Sequence, residues 1–421
     1  MDRRGFIKNV GLASLLPAIG GSLLWACRQP GSNSEKRIFV FVQLMGGNDG
    51  LNTLIPLDNY KKVAAARPNL YIPEDKILDL RNNALTGLHP SMAGIRDMYN
   101  NGLVSFVQNV GYENPNYSHF RSAEIWLTGS RSNELLLTGW VGRYLETKYI
   151  GYPKGFPNTD YPHPPAIKVG ESGTILFEAT SMDMSIVLSP NENGLDVDSM
   201  GNSKVGKGYA VEEVSQIKEI LIQTEQYSDA VGGALAVPFK HSSMYPEKGE
   251  NRLADQLKTV AKLINGGLGT SVYHVNMGGF DTHEHQAEEG DRTKGTHAQL
   301  LAKVSQAITC FWDDVVAMGR ENDVAGMTVS EFGRRIISNS SCGTDHGAAQ
   351  PLIIFGNGVQ GGIVGDNPVI PDQAKSMDNL VPVIGFNSVY TTIMTDWFKA
   401  EANMASKVVG GEHATLPIFK I

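Results

Sequence analysis

Three cysteines in 421 residues are too few for a disulfide framework. One of them, Cys27, lies near the N-terminus, which leaves Cys310 and Cys342 as a pair that an oxidising compartment could join. Only 19% of the residues are charged, and the acidic excess gives a net charge of -8. That balance offers no attraction to nucleic acid or to an acidic membrane surface. No apolar run reaches the roughly 20 residues that a membrane-spanning helix needs. Internal repeats and low-complexity tracts are also missing. What remains is a globular composition, 41% hydrophobic, long enough for one large domain or two ordinary ones held by a buried core.

The first residues carry a targeting pattern. Met1-Asp2-Arg3-Arg4-Gly5-Phe6-Ile7-Lys8 sets paired arginines ahead of an aromatic, an aliphatic and a lysine. A modest apolar stretch, Val10 to Ala26, follows and is broken by Pro17. This is the form of a twin-arginine export signal. It implies export through the twin-arginine machinery to the periplasm or cell envelope. Residues 1–27 are then the signal, 28–36 a polar linker and 37–421 the working domain. Leu24-Trp25-Ala26-Cys27 resembles a lipobox, whose cysteine is lipidated after cleavage, although Trp25 is an unusual occupant. Two destinations stay open: free in the periplasm, or tethered to a membrane through Cys27.

Arg37 to Leu44 is a nearly continuous apolar run of strand length, as expected for a strand buried on both faces of a parallel sheet. Leu103–Asn109, Ser271–Asn276, Val324–Ser330 and Pro351–Phe355 repeat the pattern. Helical patterns separate them at Ser91–Asn100, His119–Thr128, Asn251–Asn265 and Thr296–Met318. The alternation predicts an α/β fold with a mostly parallel central sheet flanked by helices. Two stretches rich in Gly, Asn and other turn formers, 149–165 and 191–208, read as irregular insertions.

In open α/β sheets, ligands bind outside the carboxyl ends of the strands. The first strand runs into Met45-Gly46-Gly47-Asn48-Asp49-Gly50, a glycine-flanked carboxylate that also reads as a plain turn. After the second comes Asn116-Tyr117-Ser118-His119-Phe120-Arg121, where Ser118 opens a helix whose N-terminus favours an anion. It is an address for a serine nucleophile, and equally for an ordinary cap. The third strand leads into Gly278-Gly279-Phe280-Asp281-Thr282-His283-Glu284-His285. Asp281 and His285 share a face if that stretch is a helical turn, and His283 and His285 share one if it is extended. Carboxylate and imidazole together suit zinc or a similar divalent ion. The fourth strand ends at Ser330-Glu331-Phe332-Gly333-Arg334, which adds a carboxylate and an arginine able to clamp an oxyanion. His346 sits in a glycine-bracketed loop just before the fifth strand. Together these residues form the inventory for two metals around an in-line displacement at phosphorus.

The segments GGNDGLNT from Gly46, YSHFRSAEIWLTG from Tyr117, GGFDTHEHQ from Gly278, SEFGRR from Ser330 and GTDHGAAQPL from Gly343 resemble the bacterial family called domain of unknown function 1501. That family is similar to the alkaline phosphatase superfamily, which includes sulfatases. The resemblance implies an alkaline phosphatase-like fold and a hydrolase for phosphate or sulfate esters, on small molecules or on polymers. It implies one metal site on Asp281, His285 and His346, and a second on Asp49 and Glu331. Ser118 takes the nucleophile's place, with a water activated by the ions as the alternative. Arg121 or Arg334 would hold the equatorial oxygens. Zinc is the first expectation, with calcium or magnesium suited to an oxygen-rich second site. The superfamily usually places a histidine after the carboxylate at Glu331, and here Phe332 stands there. His119 and His283 are the imidazoles able to substitute. The absence of a Cys-x-Pro-x-Arg segment argues against a formylglycine nucleophile. The same fold without the chemistry, as an exported binding or surface protein, is the alternative.

Overall fold

The first strand, β1 (Ile38–Leu44), is buried at every position. Its alternation places Phe39 and Phe41 on one side. There Phe39 meets Phe398 at 6.3 Å and Phe41 meets Trp140 at 5.6 Å between ring centroids. The computed structural model describes residues 37–170, 173–191, 194–198 and 227–420. The stretch expected to be an export signal, with Cys27, the linker up to residue 36 and most of 191–208, lies outside the described residues.

Nine further strands join β1 in a ten-stranded sheet. They are β2 (Val104–Gly111), β3 (Ala166–Val169), β4 (Ser185–Asn191), β5 (Gly194–Asp198), β6 (Val272–Met277), β7 (Val324–Val329), β8 (Gln350–Gly356), β9 (Gly362–Val364) and β10 (Ile384–Gly385). The order is β9-β2-β8-β7-β1-β6-β3-β4-β5, with β10 also on β2. β1 pairs in parallel with β7 and with β6. β6 pairs in parallel with β3, and β3 with β4. β8 runs antiparallel to both β7 and β2, so β2 points the same way as β7. The sheet is thus mostly parallel, with β5 and β8 as the reversed strands.

Helices flank this sheet. The helix α1 (His119–Thr128) begins directly beyond the loop that leaves β2. α2 (Arg252–Asn265) and α3 (Thr296–Ala317) pack on each other, and Ala93–Asn100 packs on α3. A second group joins Trp140–Lys148 to Ala402–Val409 and Phe386–Thr392. Asn251 caps α2 by accepting from the Ala254 amide at 3.3 Å. The segment 149–165 forms neither helix nor strand, and it buries Tyr149, Tyr152 and Phe156. Cys310 and Cys342 are both free thiols. No helix among the described residues is long and apolar enough to cross a membrane.

The reversal of β8 decides where His346 goes. A loop before a parallel strand would lie on the opposite edge from the other chemical segments. Because β8 is antiparallel, its start shares the rim where β1, β2, β6 and β7 end. The short hairpin Arg334–Ser338 with Thr344–His346 fills that rim and sets Arg334 opposite His346.

Packing between β7 and β8 is tight at Gly326, where an added Cβ would stand 2.3 Å from the Phe355 ring. Gly326→Ala therefore costs about 1–3 kcal/mol, the usual penalty of overpacking a filled core. Urea unfolding should show a lower midpoint with an unchanged slope.

Candidate metal centre

Four side chains meet on the rim. Asp281 lies in the non-helical loop after β6, His283 two residues on, His119 at the first turn of α1, and His346 at the end of the hairpin. Nε2 of His346 and Nε2 of His283 each stand 3.1 Å from Oδ1 of Asp281. Nε2 of His119 stands 3.3 Å from Oδ2 of the same carboxylate. The two nitrogens of His283 and His346 are themselves 2.8 Å apart.

The other ring nitrogen of each histidine is already engaged. Nδ1 of His346 is 2.8 Å from the Tyr117 carbonyl. Nδ1 of His119 is 2.8 Å from Oε1 of Glu331. Nδ1 of His283 is 3.1 Å from Oδ1 of Asp345. A carbonyl or a carboxylate only accepts, so each Nδ1 is the donor and each neutral ring carries its lone pair on Nε2. Three lone pairs then face one carboxylate, and those of His283 and His346 also face each other. That arrangement is repulsive unless a cation sits among them. Protonating the rings would also relieve it, but burial pushes the His346 pKa down, against the opposing pull of the Tyr117 carbonyl and Asp281. Imidazoles oriented from behind by carboxylates and carbonyls are the arrangement that metal-binding histidines use. Three nitrogens and a carboxylate oxygen suit zinc best.

Asp281 is built to stay charged. Burial alone would raise its pKa, but the hydrogen bond from Arg334 brings it down to about 2. The side chain is still 44% exposed, and His283 is 42% exposed, so the cluster faces solvent. A structural zinc site is closed, whereas this one leaves access for a ligand.

Arg334 was a candidate oxyanion clamp, and its surroundings give it another task. Buried to 1% exposure, it donates from Nε to Gly47 O at 2.8 Å, from Nη1 to Thr344 O at 2.7 Å, and from Nη2 to Phe280 O at 2.9 Å, to Gly46 O and to Asp281 at 2.8 Å. Its side chain has no exposed surface to present to a substrate. Arg121 is also committed, to the carbonyls of Ser132 and Glu134 and to Glu124. Both arginines are held by groups of the protein itself.

Asp49, expected at a second metal, is fully buried and ion-paired with the fully buried Arg67 at 2.6 Å. Gln286 donates to the same oxygen. Glu331 is 5% exposed, and its Oε1 accepts from Gly46 N at 2.7 Å as well as from His119. It orients a histidine rather than joining the converging atoms. His285 is exposed and takes a left-handed φ of 50°, so the helical turn that would have aligned it with Asp281 does not form. His283 stands where His285 was expected. Ser118 is exposed at the N-terminus of α1, and its hydroxyl caps no backbone amide. It sits between Tyr117, whose carbonyl orients His346, and His119 itself. Among the described residues, one group of ligand-type side chains converges, His119, Asp281 and His346, and His283 adjoins it through His346 and Asp281.

Phe332 fills the position where a histidine was looked for. Its ring lies 5.0 Å from His119 and 4.3 Å from His346, as an apolar floor beneath both. Gly46 is required here for space, because with φ +121° an added Cβ would fall 2.3 Å from the Asp281 amide. Asp345 and Arg67 were not singled out from the sequence. Asp345 adjoins His346, and strand alternation would have sent it to the other side. Arg67 comes from the end of the short helix Tyr60–Ala66 and leaves no pattern.

Fold and site together define an α/β protein with a histidine–carboxylate cluster at the carboxyl rim of its sheet, the usual ligand address of such folds. The chain belongs to the family described as protein of unknown function (DUF1501), whose model matches residues 36–383. No curated protein matches it. Among solved structures it is similar to Ps i-CgsB, with 10% identity, TM-score 0.41 and coverage of 89% of this chain and 75% of that one. It is also similar to a protein in the alkaline phosphatase superfamily from Vibrio parahaemolyticus, at 10% identity, TM-score 0.38 and coverage of 89% and 69%. The phosphonate monoester hydrolase SpPMH from Silicibacter pomeroyi gives 9%, 0.37, and 89% and 75%.

Two outcomes test this geometry. Glu331→Gln should weaken zinc binding about 10–100-fold, as loss of an orienting carboxylate does, while His285→Ala leaves it unchanged in calorimetric titration. For the buried pair, Arg67→Ala should cost about 3–5 kcal/mol at neutral pH, since it strands a buried carboxylate. Burial would raise the Asp49 pKa, but Arg67 outweighs it and holds the group below its ordinary 3.8. A depressed folded-state pKa stabilises above the unfolded value and fades as pH falls through the folded one. The denaturation midpoints of wild type and Arg67→Ala should therefore converge only below pH 3.8.

Proposed function

We propose that this protein is an exported metal-dependent hydrolase of phosphate or sulfate esters, working at one metal centre rather than two. The observation that carries the reading is the convergence of three lone-pair nitrogens on Asp281 at a solvent-facing rim. His119, Asp281, His283 and His346 would hold the ion. A bound divalent ion supplies Lewis-acid polarisation of an ester oxygen. The chain's own residues do the rest. Arg334 keeps Asp281 ionised and fixed. Glu331, Asp345 and the Tyr117 carbonyl hold a proton on each Nδ1, which keeps each Nε2 free to bind. Ser118 presents a hydroxyl at the N-terminus of a ten-residue helix, where the backbone amides favour an anion. The paired arginines at Arg3 and Arg4 support export by the twin-arginine route, with Cys27 as a candidate lipid anchor.

A second reading has its own observation. Arg334 is wholly buried among backbone carbonyls, and Arg121 is held by the carbonyls of Ser132 and Glu134 and by Glu124, so the protein itself engages both arginines. A metal-holding binding protein would look the same. Turnover separates the two. Purified mature protein should carry about one zinc per chain, against two for a two-metal hydrolase. It should also hydrolyse at least one member of a panel of phosphate monoesters, phosphate diesters and sulfate esters, and Ser118→Ala should abolish that turnover. Bound zinc with no turnover on any ester supports the binding reading. Unchanged metal content in both Asp281→Ala and His346→Ala would remove the basis of either.

A further inference from the structure

A cavity of about 680 Å³ opens beside the metal centre. Asn339 forms part of its wall, and the same side chain donates to the His283 carbonyl at 2.8 Å and approaches Oδ1 of Asp345 at 3.4 Å. The cavity therefore shares a residue with the support of one cluster histidine. Its volume lies within the range of small-molecule sites.

The lining has a distinct chemistry. Asn69, Ser338, Asn339, Ser340 and Gln373 offer amides and hydroxyls. Three charged groups border it. Lys62 and Asp372 neutralise each other at 2.8 Å. Arg292 has no hydrogen bond or ion pair to any described residue, and its guanidinium is held 4.4 Å above the Tyr71 ring. An arginine stacked on an aromatic face keeps all its in-plane donors while its position is fixed. The cavity thus carries one uncompensated positive charge, pre-placed among polar groups. At the cluster itself, by contrast, Arg334 is wholly buried and ion-paired with Asp281.

We infer that this cavity is an anion-binding subsite for a hydroxyl-rich ligand, with Arg292 as its positive group. The inference rests on the hydrolase reading only in its consequence, which is that the substrate carries a second anionic group beyond the ester that is cleaved. A polyhydroxylated compound with one anion for Arg292 and another at the metal centre fits both places.

The subsite can be tested with the metal centre disabled. The probes are glucose 6-phosphate and glucose, titrated calorimetrically into full-length Asp281→Ala protein after chelator treatment. Glucose 6-phosphate should bind at least roughly tenfold more tightly than glucose, the scale of one charge-assisted hydrogen bond. Arg292→Ala in the same background should erase that difference, and Arg292→Lys should retain part of it. Equal binding of the two probes, or a difference that survives Arg292→Ala in folded protein, would overturn the inference. Because Asp281 is already replaced, failure here leaves the hydrolase reading standing, and failure of that reading leaves this result standing.

Discussion

One buried guanidinium organises the functional rim. Arg334 ties together the loop after β1 through Gly46 and Gly47, the loop after β6 through Phe280 and Asp281, and its own hairpin through Thr344. Each of those segments is a connection that the sheet alone would leave free to move. Burying an arginine is costly unless its donors are met. Here the carbonyls of three loops and one carboxylate meet them, so the loops are held in one arrangement or the charge is stranded. Gly46 contributes by letting the first loop lie directly on the Asp281 amide. The position of Asp281, and with it the convergence of the histidines, follows from this one contact set.

Much of the framework was legible in the sequence, because strands buried on both faces leave continuous apolar runs. β1, β2, β6 and β7 lie where such runs fall, and α1, α2 and α3 where the helical periodicity does. The direction of β8 was not legible, since an apolar run carries no polarity. That direction is what brings His346 to the shared rim. The spacing from Asp281 to His285 suggested one helical face, but two glycines ahead of it and a left-handed residue at His285 make a loop, and the loop presents His283. Asp49 read as a ligand because a carboxylate on a glycine turn looks available. Its partner Arg67 comes from a short helix eighteen positions away, and nothing local announces the pair. The position read as a missing imidazole, Phe332, is an apolar support for two imidazoles that come from elsewhere.

The electrostatics divide the rim into two tasks. At the cluster, fixed negative charge on Asp281 and oriented imidazoles favour a cation. At the neighbouring cavity, the Arg292 guanidinium, unpaired among the described residues, favours an anion. A substrate with separated anionic groups would be oriented by both, which is how remote binding energy positions a reacting bond. The cluster draws on residues as far apart as His119 and His346, so it exists only in the folded chain. The proposed twin-arginine route carries folded proteins, and a centre of this kind suits it.

The central claim is that three histidine Nε2 atoms and Asp281 hold one metal ion. X-ray absorption at the zinc edge of the loaded, mature protein tests it most directly. The account predicts one zinc environment with three imidazole nitrogens at about 2.0–2.1 Å and a carboxylate oxygen, losing one nitrogen in His119→Ala and none in His285→Ala. A spectrum with fewer imidazoles, or one that loses a nitrogen in His285→Ala but not in His119→Ala, would contradict it.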